Sequence, residues 1–326
     1  MSGTLLVTGA GGFIGGHVVR LALERGWAVR GLDLRFGEGF PGEAIVGSVT
    51  DAALVAAALE GADAVIHGAA LTSLWTRDPA DYARVNAGGT RLVARAARAR
   101  GVRMVHVSSF TVLVAGPRGG PWRRLDETVE HRPEALLGPY PAAKRQAELF
   151  VLEEVAAAGL DAVIVLPSAP VGPGDVHGTP PTRLLADLAA GRLPALMDTV
   201  MNLVAVEAVA HGVLAALERG ARGRRYLLSG EDAPLSAIAA QVAALAGVRP
   251  PRWRVPYALA LGAAAVEEGL ATLTGRAPRA TLTGVRLAGR RVGFSNARAR
   301  AELGFEPPPL AETLARAVAA LPQRAG

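Results

Sequence analysis

Short, largely apolar runs recur through the first half of the chain, at Thr4–Val7, Trp27–Leu32, Ala44–Gly47, Ala64–Ile66, Val102–Val107 and Ala162–Leu166. Runs of this kind suit strands buried on both faces of a sheet. Between them lie segments of helical spacing, His17–Arg25, Asp81–Arg100 and Tyr140–Ala158, and Asp51 stands as an N-cap before a helix through Leu59. Strand and helix alternating at these lengths predict right-handed βαβ units and a parallel, doubly wound α/β sheet. At Pro167 the pattern changes. Pro170, Pro173, Pro180 and Pro181 follow closely, and helices and short loops take over. A strand and helix at Asn202–Leu217 and a strand at Arg225–Leu228 return to the sheet. The expected organisation is a first domain over 1–167 with a returning segment near 202–229, and a smaller, mostly helical region from 168–201 and 230–326. Phe110 to Leu136 reads as a Pro- and Arg-rich loop, and Pro307-Pro308-Pro309 as a rigid connector before a last amphipathic helix.

The first strand runs straight into Thr8-Gly9-Ala10-Gly11-Gly12-Phe13-Ile14-Gly15 and then a helix. Strand, glycine turn and helix together are the context in which such a loop predicts dinucleotide binding. Gly9 permits the tight turn, Gly12 lets backbone approach a pyrophosphate, and Gly15 allows the helix to pack close. The helix N-terminus offers free N–H groups to the phosphates. Asp33 ends the second strand, 18 residues after Gly15. A carboxylate there accepts hydrogen bonds from ribose hydroxyls and repels a 2′-phosphate, which favours NAD. Arg35, two residues on, leaves NADP open. Small residues after the fourth strand, in His67-Gly68-Ala69-Ala70, leave room for a cofactor lying across the sheet edge.

One stretch carries the candidate chemistry. Of 35 Lys and Arg residues a single one is lysine, Lys144, and it stands four residues after Tyr140. On a helix the two share a face. An ammonium beside a phenol favours the phenolate and lowers its pKa, and arginine's planar fork is a poor substitute for that compact charge. A surface helix with a chance Tyr and Lys is the plain alternative. Its weakness is a lysine retained where the chain otherwise uses arginine throughout.

Composition and charge narrow the picture further. Half of the 326 residues are apolar with few aromatics, so the core is built from Ala, Leu and Val. There is no cysteine, which excludes disulfides and thiolate metal sites and fits a reducing compartment. No charged segment precedes a long apolar one at the start, and the most apolar later run, Val255–Val266, is too short to span a bilayer. A cytoplasmic protein with no membrane span and no metal is expected. The formal charge of +6 raises nucleic acid as a partner, but the arginines are scattered, and Arg91, Arg95 and Arg98 form a helical stripe with few aromatics between. A solvated face is the better reading.

The motifs Thr8–Gly15, His67–Ala70, Ser109, Tyr140-Pro141-Ala142-Ala143-Lys144 and Pro167–Asp175, in that order, resemble an extended short-chain dehydrogenase/reductase of the NAD-dependent epimerase/dehydratase superfamily. The likeness spans essentially the whole chain. Its second half is most similar to the dihydroflavonol-reductase-like branch, which includes proteins labelled hopanoid-associated sugar epimerases. The resemblance implies a Rossmann domain, with Tyr140 as general acid/base. By the same likeness Lys144 tunes Tyr140 and holds the nicotinamide ribose, and Ser109 orients the reacting oxygen. It also implies cofactor contacts from Gly9, Gly12, Phe13, Ile14, Gly15, Asp33, Arg35, Ser48, Val49, His67, Ala69, Ala70 and Pro167. A homodimer follows as well, through the helices Asp81–Arg100 and Tyr140–Ala158. The small residues Ala83, Ala87, Val93, Ala94, Ala97, Ala143, Ala147, Val151 and Val155 would permit close approach, with the arginine stripe turned to solvent.

Departures from the family pattern bear on the substrate. Ser48 stands where many relatives carry an adenine-binding Asp. Ala169 and Met201 align with an Asn and an Arg that nucleotide-sugar epimerases use for the diphosphate. Neither can neutralise it. Leu74, Trp75, Phe110, Leu113 and Val171 are candidate substrate contacts, which suggests an uncharged, largely apolar molecule. The leading expectation is an NAD(P)-dependent oxidoreductase that interconverts a secondary alcohol and a ketone. The alternative is a sugar epimerase or dehydratase with tightly bound NAD. A dinucleotide sensor with idle chemistry needs no Ser109–Tyr140–Lys144 set.

Overall fold

The computed structural model describes residues 3–321. The chain runs through β1 (Thr4–Thr8), α1 (Phe13–Glu24), β2 (Ala28–Asp33), β3 (Glu43–Val46), α2 (Ala52–Ala58) and β4 (Ala64–His67). Next come α3 (Ala80–Tyr82), a π-helical stretch (Ala83–Gly89), α4 (Thr90–Ala99), β5 (Arg103–Val107), β6 (Arg123–Leu125), α5 (Pro139–Ala158) and β7 (Ala162–Pro167). The remainder comprises β8 (Ala169–Val171), α6 (Pro180–Ala189), β9 (Ala195–Met197), β10 (Val200–Ala205), α7 (Val206–Arg219), β11 (Arg225–Leu228) and β12 (Glu231–Pro234). It closes with α8 (Leu235–Ala246), β13 (Trp253–Val255), α9 (Tyr257–Thr274), α10 (Leu282–Ala288), β14 (Val292–Phe294) and α11 (Leu310–Ala319).

Seven strands form one parallel sheet in the order β11-β7-β5-β4-β1-β2-β3. Helices cover both faces, which is why β4 and β7 are buried along their whole length. One core layer joins Val18, Val19 and Ala22 of α1 and Val209, Val213 and Leu214 of α7 to the sheet. The opposite layer takes Val55 of α2, Val93 and Ala97 of α4 and Val151 of α5. The strand order reverses between β1 and β4, and the crevice at their carboxyl ends is where such sheets bind ligands.

A second layer, outside the main sheet, packs β8, β10 and β12 against α6, α8 and α11. Two short parallel pairs tie distant segments together, β9 with β13 and β6 with β14. The stretch read as a loop at 110–136 therefore contains a strand. Its partner lies far along the chain, so no local hairpin signal marks it. The helix expected over 81–100 is continuous but passes through the π-helical stretch Ala83–Gly89, which places Asn86 inward with its amide bonded to Leu71 at 2.7 and 3.0 Å. Asp51 caps α2 as expected, its carboxylate accepting from the Ala53 and Leu54 N–H groups. Among the described residues no helix is long and apolar enough to cross a membrane.

Candidate active site

A cavity of about 990 Å³ runs along the carboxyl edge of the sheet and into the second layer. Its sheet-side floor comes from the ends of β1, β2, β5 and β7, at Gly9, Asp33, Ser108, Ser109, Pro167 and Ser168. The glycine loop closes one end. Gly9 sits at φ +75°, and a Cβ there would lie 2.7 Å from the Ala69 nitrogen. A Cβ on Gly15 would fall 1.9 Å from the Gly9 carbonyl oxygen, so α1 reaches its seat only with glycine at this position. Gly12 is the N-cap of α1, no side chain caps the helix, and its first turn holds no acid. The N–H groups of Phe13 and Ile14, both lining the cavity, are thus left for an anion.

Asp33 accepts from the Gly11 N–H at 2.9 Å through one oxygen and from the Leu34 N–H at 2.7 Å through the other. A carboxylate has further acceptor capacity, so this fixes its aim toward the cavity without exhausting it. Arg35, Ser48, Val49, Ala69 and Ala70 line the same end. The Ser48 hydroxyl is bonded to Thr50 at 2.8 Å. Buried Ser108 and Ser168 hydroxyls have no partner among the described residues although they line the cavity. Orphaned polar groups, uncapped amides and an aimed carboxylate fit a dinucleotide.

His67 departs from the expectation. It is buried beneath the cavity floor, with Nδ1 at 2.7 Å from Thr8 Oγ1 and Nε2 at 2.9 Å from Thr90 Oγ1. The Thr90 hydroxyl spends its hydrogen on the Asn86 carbonyl, so His67 Nε2 donates and Nδ1 accepts. Cross-strand register pairs His67 with Thr8 and with His106, whose ring stacks on it at 5.5 Å. Burial holds both rings far below the ordinary histidine range, His67 at about 3, and the nearby Lys144 charge acts in the same direction. These histidines are neutral struts.

Tyr140 and Lys144 occupy the first turns of α5, which begins with Pro139 at a position where a missing N–H costs nothing. The Tyr140 ring packs edge-on against Tyr82 at 6.0 Å, with Ala143, Leu71 and Leu74 around it. Tyr82 is fixed in turn by its hydroxyl, which donates to the Ser73 carbonyl at 2.7 Å. Burial raises the Tyr140 pKa above the ordinary tyrosine value and outweighs the lowering influence of the nearby Ser109 hydroxyl. The expected phenolate stabilisation by Lys144 is not seen. The ammonium is turned to the Val107 carbonyl at 2.7 Å, and burial lowers its pKa to about 8 against the opposing pull of Glu148.

Glu148 anchors the helix from beneath. It is fully buried and pairs with Arg145 at 2.8 Å and Arg225 at 3.2 Å. The Glu148–Arg225 pair joins α5 to β11, and Arg225 also donates to the Glu127 and Val129 carbonyls. Scattered charges give no sequence signal for this cluster. Tyr82 was likewise missed, for it reads as one aromatic among core residues.

Of the predicted substrate contacts, Leu74 and Phe110 line the cavity, Phe110 edge-on to Phe294 at 5.2 Å. Leu113 and Val171 do not; each is packed in an apolar core, behind β5 and within the second layer. Trp75 is half-buried and outside the wall. Ala169, Met201, Leu184, Met197 and Leu287 add to the apolar lining. Asn202, adjacent to Met201, has its amide engaged by Gly230 and Asp232. Arg290 also reaches the cavity, with donors committed to the Gly116 and Arg286 carbonyls at 2.9 and 3.2 Å.

Five of the small residues expected at a dimer contact face inward. Val93, Ala94, Ala97, Ala147 and Val151 are buried against the chain's own sheet and offer nothing to a partner. The arginine stripe is exposed but tied to α5. Arg95 and Arg98 pair with Glu154 at 3.2 and 3.1 Å, and Arg91 lies over the Phe150 ring.

The chain matches the model of the NAD dependent epimerase/dehydratase family over residues 5–229. It is 34% identical to a putative dihydroflavonol 4-reductase of Synechocystis sp., covering 98% of this chain and 94% of that protein. It is 33% identical to sterol demethylase protein B of Methylococcus capsulatus, covering 97% of each. Among solved structures, gox2253 superposes with a TM-score of 0.83 at 35% identity over 97% of both chains. The chain therefore belongs to the NAD dependent epimerase/dehydratase family, and is an NAD(P)-dependent enzyme of the extended short-chain dehydrogenase/reductase type.

Proposed function

We propose that this enzyme interconverts a secondary alcohol and a ketone on a medium-sized, largely apolar substrate. The observation that carries the reading is the cavity beyond Tyr140. Its walls include Leu74, Phe110, Leu184, Met197 and Leu287 beside Asp175, His177 and Thr199, with Ala169 and Met201 where a diphosphate would need polar partners. The names of the relatives, a dihydroflavonol reductase and a sterol demethylase component, agree with a hydrophobic ring system.

When bound, the nicotinamide supplies hydride to the carbonyl carbon or accepts it from the carbinol. The chain's own part is the proton and the alignment. Tyr140 gives its phenolic proton to the carbonyl oxygen in reduction and takes the hydroxyl proton in oxidation. Its raised pKa keeps it protonated at neutral pH, which suits the acid role in reduction. Ser109, which lines the cavity with Tyr140, holds the same oxygen. Lys144 keeps its charge beside the cavity floor for the nicotinamide ribose. Phe13 and Ile14 N–H groups hold the pyrophosphate, and Asp33 the adenosine ribose. Pro167, Ala69 and Ala70 shape the cleft around the cofactor.

A second reading, a sugar epimerase with permanently bound NAD, is favoured by one observation, the Arg290 guanidinium at the cavity wall. Mass spectrometry of the purified protein separates the two. A chain that leaves purification free of nucleotide, and then oxidises NADH with apolar ketones, supports the reductase. Stoichiometric bound NAD and turnover of a nucleotide sugar overturn it. We also infer a homodimer through the outer surface of α4 and α5, where Leu92, Leu149 and Phe150 are half-buried; a mass of one chain by light scattering contradicts this.

A further inference from the structure

Helix α9 is turned inside out. The residues it buries are the alanines Ala264 and Ala271, while Leu259, Val266, Leu270 and Leu273 are between 55% and 82% exposed. These four recur at spacings of seven, four and three, so they share one face along the whole helix. Single exposed leucines are ordinary on protein surfaces, but a continuous stripe of large apolar side chains marks a docking surface.

The charges around this stripe decide what it docks against. Its acids are turned to the chain itself. Glu267 accepts from the Arg279 and Ala280 N–H groups, and Glu268 from that of Leu282. Exposed arginines bracket the helix, with Arg252 and Arg254 before its first turn and Arg276 and Arg279 after its last. None of these four makes an ion pair among the described residues. Trp253, between the first two, is 72% exposed. An apolar stripe with tryptophan and unpaired arginines at its ends has the chemistry of a helix lying in a membrane–water interface, with guanidiniums on lipid phosphates. A second copy of this chain is a poor occupant, because an isologous contact would set the arginines against one another.

We propose that α9 and the adjoining strand β13 dock this enzyme on an anionic phospholipid bilayer, α9 lying flat in the interface. The elements that carry this surface also wall the cavity. α10, packed on α9, contributes Gly284, Leu287 and Ala288, and β9, paired with β13, contributes Met197. Docking therefore sets elements that wall the substrate end of the cavity beside the bilayer, which suits a molecule dissolved in lipid. The docking itself rests on the surface and not on the substrate assignment.

The test is flotation of the full chain with phosphatidylcholine vesicles, with and without phosphatidylglycerol, alongside Val266→Asp/Leu270→Asp and Arg252→Glu/Arg254→Glu variants. NADH affinity and melting temperature equal to wild type certify that each variant is folded. The wild type is expected to float with phosphatidylglycerol vesicles and to be released by salt, and each double substitution to lower the bound fraction about tenfold or more. Three results overturn the proposal: wild type left unbound with anionic vesicles, both variants binding as well as wild type, or a smaller mass for the Val266→Asp/Leu270→Asp variant by light scattering. The last identifies the face as a contact between copies.

Discussion

The Lys144 ammonium donates to the carbonyl oxygen of Val107 at 2.7 Å, on the residue that precedes Ser108 and Ser109. One side chain thereby joins α5, which carries Tyr140, to the end of β5, which carries the serines. The ammonium is buried and its pKa is lowered to about 8, so it stays charged at neutral pH with little margin. Two of its three donors remain for a ligand.

Lys144→Arg is accordingly expected to fail despite keeping the charge, since a broad planar fork cannot replace a compact donor in this space. The measurement is kcat together with NADH affinity, and both should fall. The melting temperature should drop by only a few degrees, because the buried Glu148 still finds Arg145 and Arg225. Wild-type turnover in this variant would make the lone lysine a coincidence.

Asp33 should set cofactor choice. Both its oxygens are oriented by backbone N–H groups, which hold the charge where a 2′-phosphate would lie. Titration of NADH and NADPH into nucleotide-free protein is expected to show tighter NADH binding, and Asp33→Asn to narrow the difference by about tenfold, one charge pair's worth at a partly solvated site. Tighter NADPH binding would give the decision to Arg35.

Acid should unfold this protein through its inner histidines. Burial depresses the pKa of His67 from 6.5 to about 3, and that of His106 well below its ordinary value. Below the unfolded-state value the unfolded chain binds protons that the folded chain refuses. Stability is thus complete above that pH and is lost as pH falls toward the folded-state value. The expected slope is about 1.4 kcal/mol per pH unit for each histidine. Denaturant titrations from neutral pH down to about 4 measure it, and His106→Leu, which removes a ring with two unpartnered nitrogens, should halve the slope. An unchanged slope in that variant would place the acid limb elsewhere.

The sequence announced those parts whose chemistry is local. Gly9 and Gly15 are legible because only glycine fits the backbone they build, and β1, β4, β5 and β7 because strands buried on both faces are mostly apolar. Lys144 was legible by contrast with a chain of arginines. What stayed hidden depends on distant partners. Leu113 and Val171 are apolar residues near the site, and only packing decides that they face core and not cavity. His67 stands in the cofactor motif, yet its register with Thr8 turns it inward. The Tyr140 pKa was misjudged because i and i+4 proximity ignores burial, which outweighs the helix-face argument, and because the ammonium turns to Val107. Strand β6 pairs with β14 across more than half the chain, beyond any local pattern.

The proposed chemistry depends most directly on the Tyr140 hydroxyl. Tyr140→Phe removes that oxygen and leaves the ring against Tyr82, Leu71 and Leu74, so fold and NADH affinity should match wild type. Turnover of NADH with an apolar ketone, followed by the absorbance of reduced nicotinamide, should fall by about 10²–10⁴-fold, the usual worth of a positioned acid. A variant that binds NADH normally and reduces the same ketone at close to the wild-type rate would contradict the mechanism.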